Sequence, residues 1–410
     1  MIDLNLFHDD PERIIKQLKR KDPSFDGEKL YRYYIGLKNL KIELDKLRQE
    51  KNELASQAKQ GLTDQMRQKS LQLGQMIKEK ESSLAELESD FNALYLTAPN
   101  IPFQDLPDGG KEANLVVREW GAKPVFNFEP LHHVALNEKL GWFDFKTAAK
   151  MTASNFAFYR GDGARLIYAL GMLMLRNNIK HGFEVVLPPF FINEESLTIS
   201  GNFPKFRDQV YHIDADALFL TPTSEVNIAN MYRDHIFDEQ ELPLSFTAFT
   251  SCFRREAGTY GSAERGLIRI HQFEKVEVYV ICEPGKSAAE LERMIACAED
   301  ILKTLGLHYR VSLLAAQDCS FQSAKTYDIE VWLPGQKQYY EVSSASNCTD
   351  FQARRGLMRY KCEGKNRFVH TLNASSLALP RLMVALLEQY QQEDGTIALP
   401  EVLKKEGLWL

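Results

Sequence analysis

Residues 253–277 hold the densest set of groups in the chain that could bind and activate a phosphate ester. Phe253, Arg254, Arg255 and Glu256 run into a polar stretch containing Gly258, Thr259, Tyr260 and Gly261. Glu264, Arg265 and Gly266 lead out of it toward Arg269, His271, Phe273, Lys275 and Glu277. An arginine fork meets phosphate or carboxylate oxygens in pairs, and a glycine-rich loop can fold over a bound nucleotide. On strands whose side chains alternate, Arg254, Glu256 and Glu277 can share one sheet face. The same pattern also suits a salt-bridged surface hairpin, and spacing alone leaves both readings open.

Other chemistries are poorly supported. The chain has no G-x-x-x-x-G-K-[ST], H-E-x-x-H or G-x-S-x-G, and Gly161, Asp162 and Gly163 make only a fragment of a dinucleotide loop. Cys252, Cys282, Cys297, Cys319, Cys348 and Cys362 are scattered with no C-x-x-C pair, so neither a disulfide framework nor a structural zinc is expected.

Positioning such groups needs a sheet. Strands are predicted at 183–187, 217–220, 246–254, 267–279, 308–314, 326–333, 338–344 and 368–372, and helices at 166–176, 286–305 and 380–391. Long hairpins without βαβ alternation argue for an antiparallel sheet with helices packed on it. Upstream the pattern differs. Leu30, Tyr33, Leu37, Leu40, Leu44, Leu47, Leu54 and Ala58 recur at spacings of three and four, interrupted by Lys51. Leu73, Ile77, Leu84, Leu87, Phe91 and Leu94 do the same, interrupted by Lys80. With Gly61, Leu62, Thr63 and Asp64 between them, the two runs predict an antiparallel coiled-coil hairpin over about 27–99, slightly weakened at Gly74. Pro99, Pro102, Pro107, Gly109 and Gly110 read as a linker. The expected fold class is α+β, with a helical arm at 1–105 and a second domain at 106–410.

Fifty Lys and Arg against 56 Asp and Glu leave a net charge of −6, which excludes a small, strongly basic nucleic-acid module but not a local basic surface. Residues 27–99 carry 12 basic and 11 acidic side chains, which by themselves also suit a coiled coil that dimerises or spaces. The longest apolar stretch, 166–175, is about half the ~20 residues of a membrane span. With no signal-peptide pattern at the start, a soluble, cytoplasmic protein without membrane contact is expected.

The 253–277 stretch resembles the second signature motif of class II aminoacyl-tRNA synthetases, and more narrowly of the seryl-tRNA synthetase family. The resemblance runs along nearly the whole chain. It includes the segments around Gly201–Phe206, Leu220–Glu225, Asp328–Pro334, Tyr340–Ser344, Asp350–Arg355 and Thr371–Ser375, and Pro380 with Arg381 in the third motif. It implies that Arg254 grips the α-phosphate of ATP and the serine carboxylate. Glu256 would read the adenine edge, Phe273 would stack on the ring, and Arg381 would meet the adenine or γ-phosphate. Arg269 and Arg265 would meet the phosphate tail or the tRNA end, and Arg255, Val342 and Ser343 belong to the same ATP-binding segments. Glu341 and Ser344 would hold Mg²⁺. Thr223, Ser224, Glu225 and Glu277 would surround the serine amino group and hydroxyl, with Asn373 and Ser375 completing the pocket. Two positions depart from the family pattern: Ser224 stands where alanine is usual, and Ala374 where glycine or asparagine often sits.

The implied activity is a serine–tRNA ligase. L-serine and ATP would give seryl-adenylate, and serine would then pass to the terminal ribose of serine tRNA, with selenocysteine tRNA a further acceptor. The implied assembly is a homodimer through 164–189. Lys38, Lys41, Lys46, Arg48, Lys51 and Lys59 are the candidate tRNA contacts on the arm. Adenylation sets a carboxylate against a polyphosphate, and cations relieve that repulsion without a general base. Two rival readings remain: a ligase loading a carrier protein, which would lack the arm, and a non-catalytic coiled-coil adaptor, which would lack the charged set.

Overall fold

Asp26 and Thr63 start the two long helices by accepting the backbone N–H groups of Lys29 (2.8 Å) and Met66 (3.2 Å). The computed structural model describes residues 1–59, 61, 63–257 and 266–405. These fall into two compact units, Met1–Ile101 and Pro102–Leu410.

The first unit contains α1 (Pro11–Lys21), α2 (Gly27–Ala58) and α3 (Asp64–Leu96). Leu30, Leu37 and Leu44 of α2 and Leu73, Phe91 and Tyr95 of α3 are buried along the seam. At its root Ile2, Phe7, Ile14, Leu18 and Phe25 join Leu30, Leu37, Phe91 and Tyr95 in one apolar cluster. The interruptions in the heptads have physical partners. A Cβ on Gly74 would lie 3.4 Å from Lys51 Nζ, so the glycine makes room for the lysine that breaks the facing seam. Lys80 reaches Glu43 at 2.6 Å. Two of the expected RNA-contacting cations are engaged across the helices instead, Lys41 with Glu88 (2.9 Å) and Arg48 with Glu81 (2.8 Å).

The second unit is built on eight strands: β1 (Leu115–Trp120), β2 (Glu184–Val185), β3 (Leu244–Phe253), β4 (Gln272–Cys282), β5 (Tyr309–Leu313), β6 (Lys325–Leu333), β7 (Gln338–Asn347) and β8 (His370–Ala378). Their order is β1-β5-β6-β7-β8-β4-β3-β2, antiparallel throughout except for the parallel β2–β3 edge. Period-two alternation divides β4 cleanly. Val276, Val278, Val280 and Cys282 enter the large apolar core. Tyr279 and Ile281 enter a second cluster, while Phe273, Lys275 and Glu277 line a cavity. The large core also takes in buried residues of α4 (His133–Leu140), α5 (Asp162–Lys180), α6 (Ser287–Thr304) and α7 (Leu379–Gln389).

One predicted strand starts late. Residues 267–279 were expected to be extended, but Gly266–Ile268 form a 3-10 turn and β4 begins at Gln272. Gly266 has φ +75°, and Leu267 donates its N–H to His133 Nε2 at 3.3 Å rather than to a strand. Among the described residues no helix is long and apolar enough to cross a membrane.

Candidate active site

Strand alternation on β4, β7 and β8 brings distant polar residues to one wall. Glu277 pairs in register with Ser375, and the bulge beside them leaves Ser376 on the opposite side, where its hydroxyl reaches Asn178 Oδ1 at 3.0 Å. The resulting cavity of about 280 Å³ is lined by Thr223, Glu225, Arg254, Glu256, Arg269, Phe273, Lys275, Glu277, Glu341, Ser344, Asn373, Ser375 and Arg381, among others. Residues from five separated segments therefore meet in one place.

At one part of it two carboxylates are buried together. Glu225 accepts from Gln352 Nε2 (2.8 Å) and Asn373 Nδ2 (3.0 Å). Burial, and then the charge of Glu277, push the Glu225 carboxyl up to about 7, with Lys275 partly opposing them. Glu277 accepts the Thr223 hydroxyl at 2.7 Å and is ion-paired with Lys275.

Arg254 leaves the end of β3 with its backbone N–H on the His271 carbonyl (2.8 Å) and its Nε on the Pro222 carbonyl (3.2 Å). Its guanidinium carbon is 5.2 Å from the Phe273 ring centre. Arg269 is paired with Glu256 at 2.8 Å, and Arg381 contacts the Glu341 carbonyl (3.0 Å) and carboxylate (3.2 Å). Glu256 and Glu341, expected on adenine and magnesium, thus face arginines here. The Arg381 Nε also donates to the Ile268 carbonyl at 3.3 Å. The 3-10 turn is therefore held by His133 at one residue and by Arg381 at the next.

Four of the expected site residues do not line the cavity. Val342 is fully buried in the large core, because it lies on the other side of β7 from Glu341. Ser343 is buried and donates its hydroxyl to the Ser375 carbonyl, tying β7 to β8. Arg255 is exposed, its backbone N–H held by the Gln209 carbonyl at 2.9 Å. Ser224 is buried in the first turn after Thr223, and its hydroxyl has no partner among the described residues. Arg265 lies outside the described residues. Reading by segment missed Lys275, Gln322 and Ser346, which also line the cavity. Alternation from Phe273 and Glu277 places Lys275 between them on the same face.

Among the described residues no three His, Cys, Asp or Glu side chains gather as a metal site, so a divalent cation would draw on fewer protein oxygens and more of its own waters. Glu341 and Ser344 share a second cavity with Asp328, which lies opposite Ser344 in the strand register. Asp328 Oδ1 is buried with no hydrogen-bond donor among the described residues. Burial, and then Glu341, hold its carboxyl well above the usual range. A hard cation that keeps waters and substrate phosphates in its shell fits this donor set.

The cavity and most of the antiparallel sheet that carries it lie within residues 209–390, which match the tRNA synthetase class II core domain (G, H, P, S and T). Residues 1–102 match the Seryl-tRNA synthetase N-terminal domain. A serine–tRNA ligase of Leptospira biflexa is 44% identical over 414 residues, spanning 98% of this chain and 99% of its own. One of Elusimicrobium minutum is 45% identical, spanning 98% of each. The crystal structure of the Pyrococcus horikoshii seryl-tRNA synthetase complexed with ATP superposes with a TM-score of 0.94 at 33% identity, covering 99% of this chain and 98% of that one. The chain belongs to the seryl-tRNA synthetase family.

Proposed function

We propose that this chain activates L-serine with ATP and transfers it to serine tRNA, and to selenocysteine tRNA where that is available. The observation that carries the proposal is the single cavity shared by Arg254, the Glu225–Glu277 pair, Ser375 and Arg381. In the first step a serine carboxylate oxygen attacks the α-phosphorus of ATP, forming the acyl–phosphate bond as pyrophosphate leaves. Arg254 draws the two anions together and favours the more charged transition state. Phe273 offers a ring face for adenine. Glu256 offers an acceptor for its amino group once Arg269 turns to the phosphates. Arg381 binds the nucleotide from the Glu341 side. In the second step a ribose hydroxyl of the tRNA end attacks the acyl carbon and AMP leaves.

Magnesium, when bound through Glu341 and Ser344, supplies charge neutralisation at the phosphates. Discrimination falls to the carboxylate pair with Thr223, Asn373 and Ser375, because a site built to bond a hydroxyl rejects a substrate lacking one by ~10⁴-fold or more.

Residues 1–105 serve as the tRNA-binding arm and 106–410 as the catalytic domain. Lys38, Lys46 and Lys59 are the arm cations best placed for RNA, since Lys41 and Arg48 are paired and Lys51 packs over Gly74 in the seam. A homodimer is supported by exposed Tyr168, Met172 and Ile179 on α5, beside Val185 and Leu187. The cytoplasm is the proposed compartment. The test is ATP–pyrophosphate exchange with serine, threonine, alanine and glycine in parallel. Exchange should be supported by serine far above the others, and equal exchange with alanine would refute the assignment.

A further inference from the structure

Lys275 is a buried cation that the adenylation chemistry above does not use. Its Nζ lies 2.8 Å from Thr223 Oγ1 and is ion-paired with Glu277, while the Thr223 hydroxyl donates to the same Glu277 carboxylate at 2.7 Å. The three side chains close a ring on the cavity wall. Lys275 pairs in the sheet with Thr250 on one side and Ala378 on the other, so neither strand neighbour brings a further charge. Glu225 is treated differently. The hydrogen bonds it receives from Gln352 and Asn373 come from neutral amides. At this end of the cavity, which Arg254 also lines with its Nε on the Pro222 carbonyl, the Lys275 ammonium is committed to Glu277 and not to Glu225.

Two buried carboxylates without a cation share a proton, and a protonated one becomes a donor in place of a pure acceptor. We infer that Lys275 is a positioning and specificity-determining residue. Its ammonium, bonded to both Glu277 and Thr223, fixes the Glu277 carboxylate in place as an acceptor for the substrate hydroxyl, leaving Glu225 to meet the substrate ammonium. The inference rests on the serine reading of the cavity and adds to it a positioning role for Lys275. A lysine is suited to this because its point charge can face the carboxylate and the threonine oxygen at once.

The test compares serine with alanine in ATP–pyrophosphate exchange for wild type, Lys275→Met, Lys275→Gln, Glu277→Gln and the Lys275→Gln/Glu277→Gln double variant. Lys275→Met and Lys275→Gln should each lower the serine-over-alanine ratio of kcat/KM by about tenfold or more. They should raise the KM for serine while leaving that for ATP within about twofold. Adding Lys275→Gln to Glu277→Gln should change the ratio by less than about twofold, since the lysine acts through that carboxylate. Removing one partner of a buried pair can unfold a protein. Should Lys275→Met not fold, the double variant, which removes both charges, still carries the comparison. An unchanged ratio in the lysine variants, equal losses for serine and ATP, or additive losses in the double variant would each overturn the inference alone. Wild-type protein with no serine-dependent exchange would overturn the reading of the cavity and this inference together.

Discussion

The arm and the catalytic sheet each contain a lysine set against a glutamate, and the two pairs do different things. Lys80 and Glu43 meet at 2.6 Å on the hairpin, with side chains 39% and 51% exposed. Lys275 and Glu277 meet on the sheet floor at 7% and 2% exposure. Water screens the first pair, which covers a polar break in a coiled-coil seam. The second has lost its water, so its geometry and charge are committed. The arm is held by leucines and tolerates polar exceptions such as Lys51 over Gly74. The sheet gathers its charged residues on one wall and packs the other face mainly with apolar side chains, the Ser376–Asn178 bond being a neutral exception. Shape is the product of one region and chemistry of the other.

If that division holds, removing the Met1–Ile101 unit has the largest and most selective effect. Transfer of serine to tRNA is lost, while serine-dependent exchange stays within about threefold of the full chain. Equal loss of both in charging and exchange assays would mean that the arm does more than hold RNA. Next in size, Arg254→Ala should cut kcat/KM for exchange by about 10²–10³-fold, the scale of losing a preorganised charge at a reacting centre.

A smaller effect concerns Glu225, whose carboxyl is pushed up to about 7 from an ordinary 4.5 by burial and then by the charge of Glu277. Its folded pKa is raised, so the stability it contributes is fully present below about 4.5 and is lost as pH rises through about 7. Melting temperatures from pH 5 to 8 should show the unliganded wild type losing stability relative to Glu225→Gln as pH rises; parallel curves would count against a perturbed carboxyl. Smallest of all, Lys80→Ala on the arm should cost no more than about 0.2–1 kcal/mol in urea unfolding. A loss of several kcal/mol there would break the contrast between the two pairs.

Much of this arrangement is readable from residue order, for identifiable reasons. The heptad runs predict the hairpin because helical periodicity over such a length has few other outcomes, and the strand predicted at 267–279 carries Phe273 and Glu277 although it begins only at Gln272. Contiguity misleads where geometry intervenes. Val342 and Ser343 sit between Glu341 and Ser344 in sequence, yet strand alternation and a bulge in the β6–β7 register send them elsewhere. Arg255 is adjacent to Arg254 but is exposed and does not line the cavity. His133 and Glu388 are hidden for another reason. Glu388 accepts from the His133 backbone N–H at 3.1 Å and lies 3.2 Å from its Nδ1, while the same ring's Nε2 holds Leu267. These bonds span more than a hundred residues, and no local pattern signals them.

The measurement closest to the central claim is the affinity of a non-hydrolysable seryl-adenylate analogue, compared by calorimetry with serine and AMP separately. If one cavity grips both halves at once, the analogue should bind at least about 10³-fold more tightly than either fragment, because joining them removes the cost of a second association. An analogue that binds no better than the tighter fragment would contradict the account.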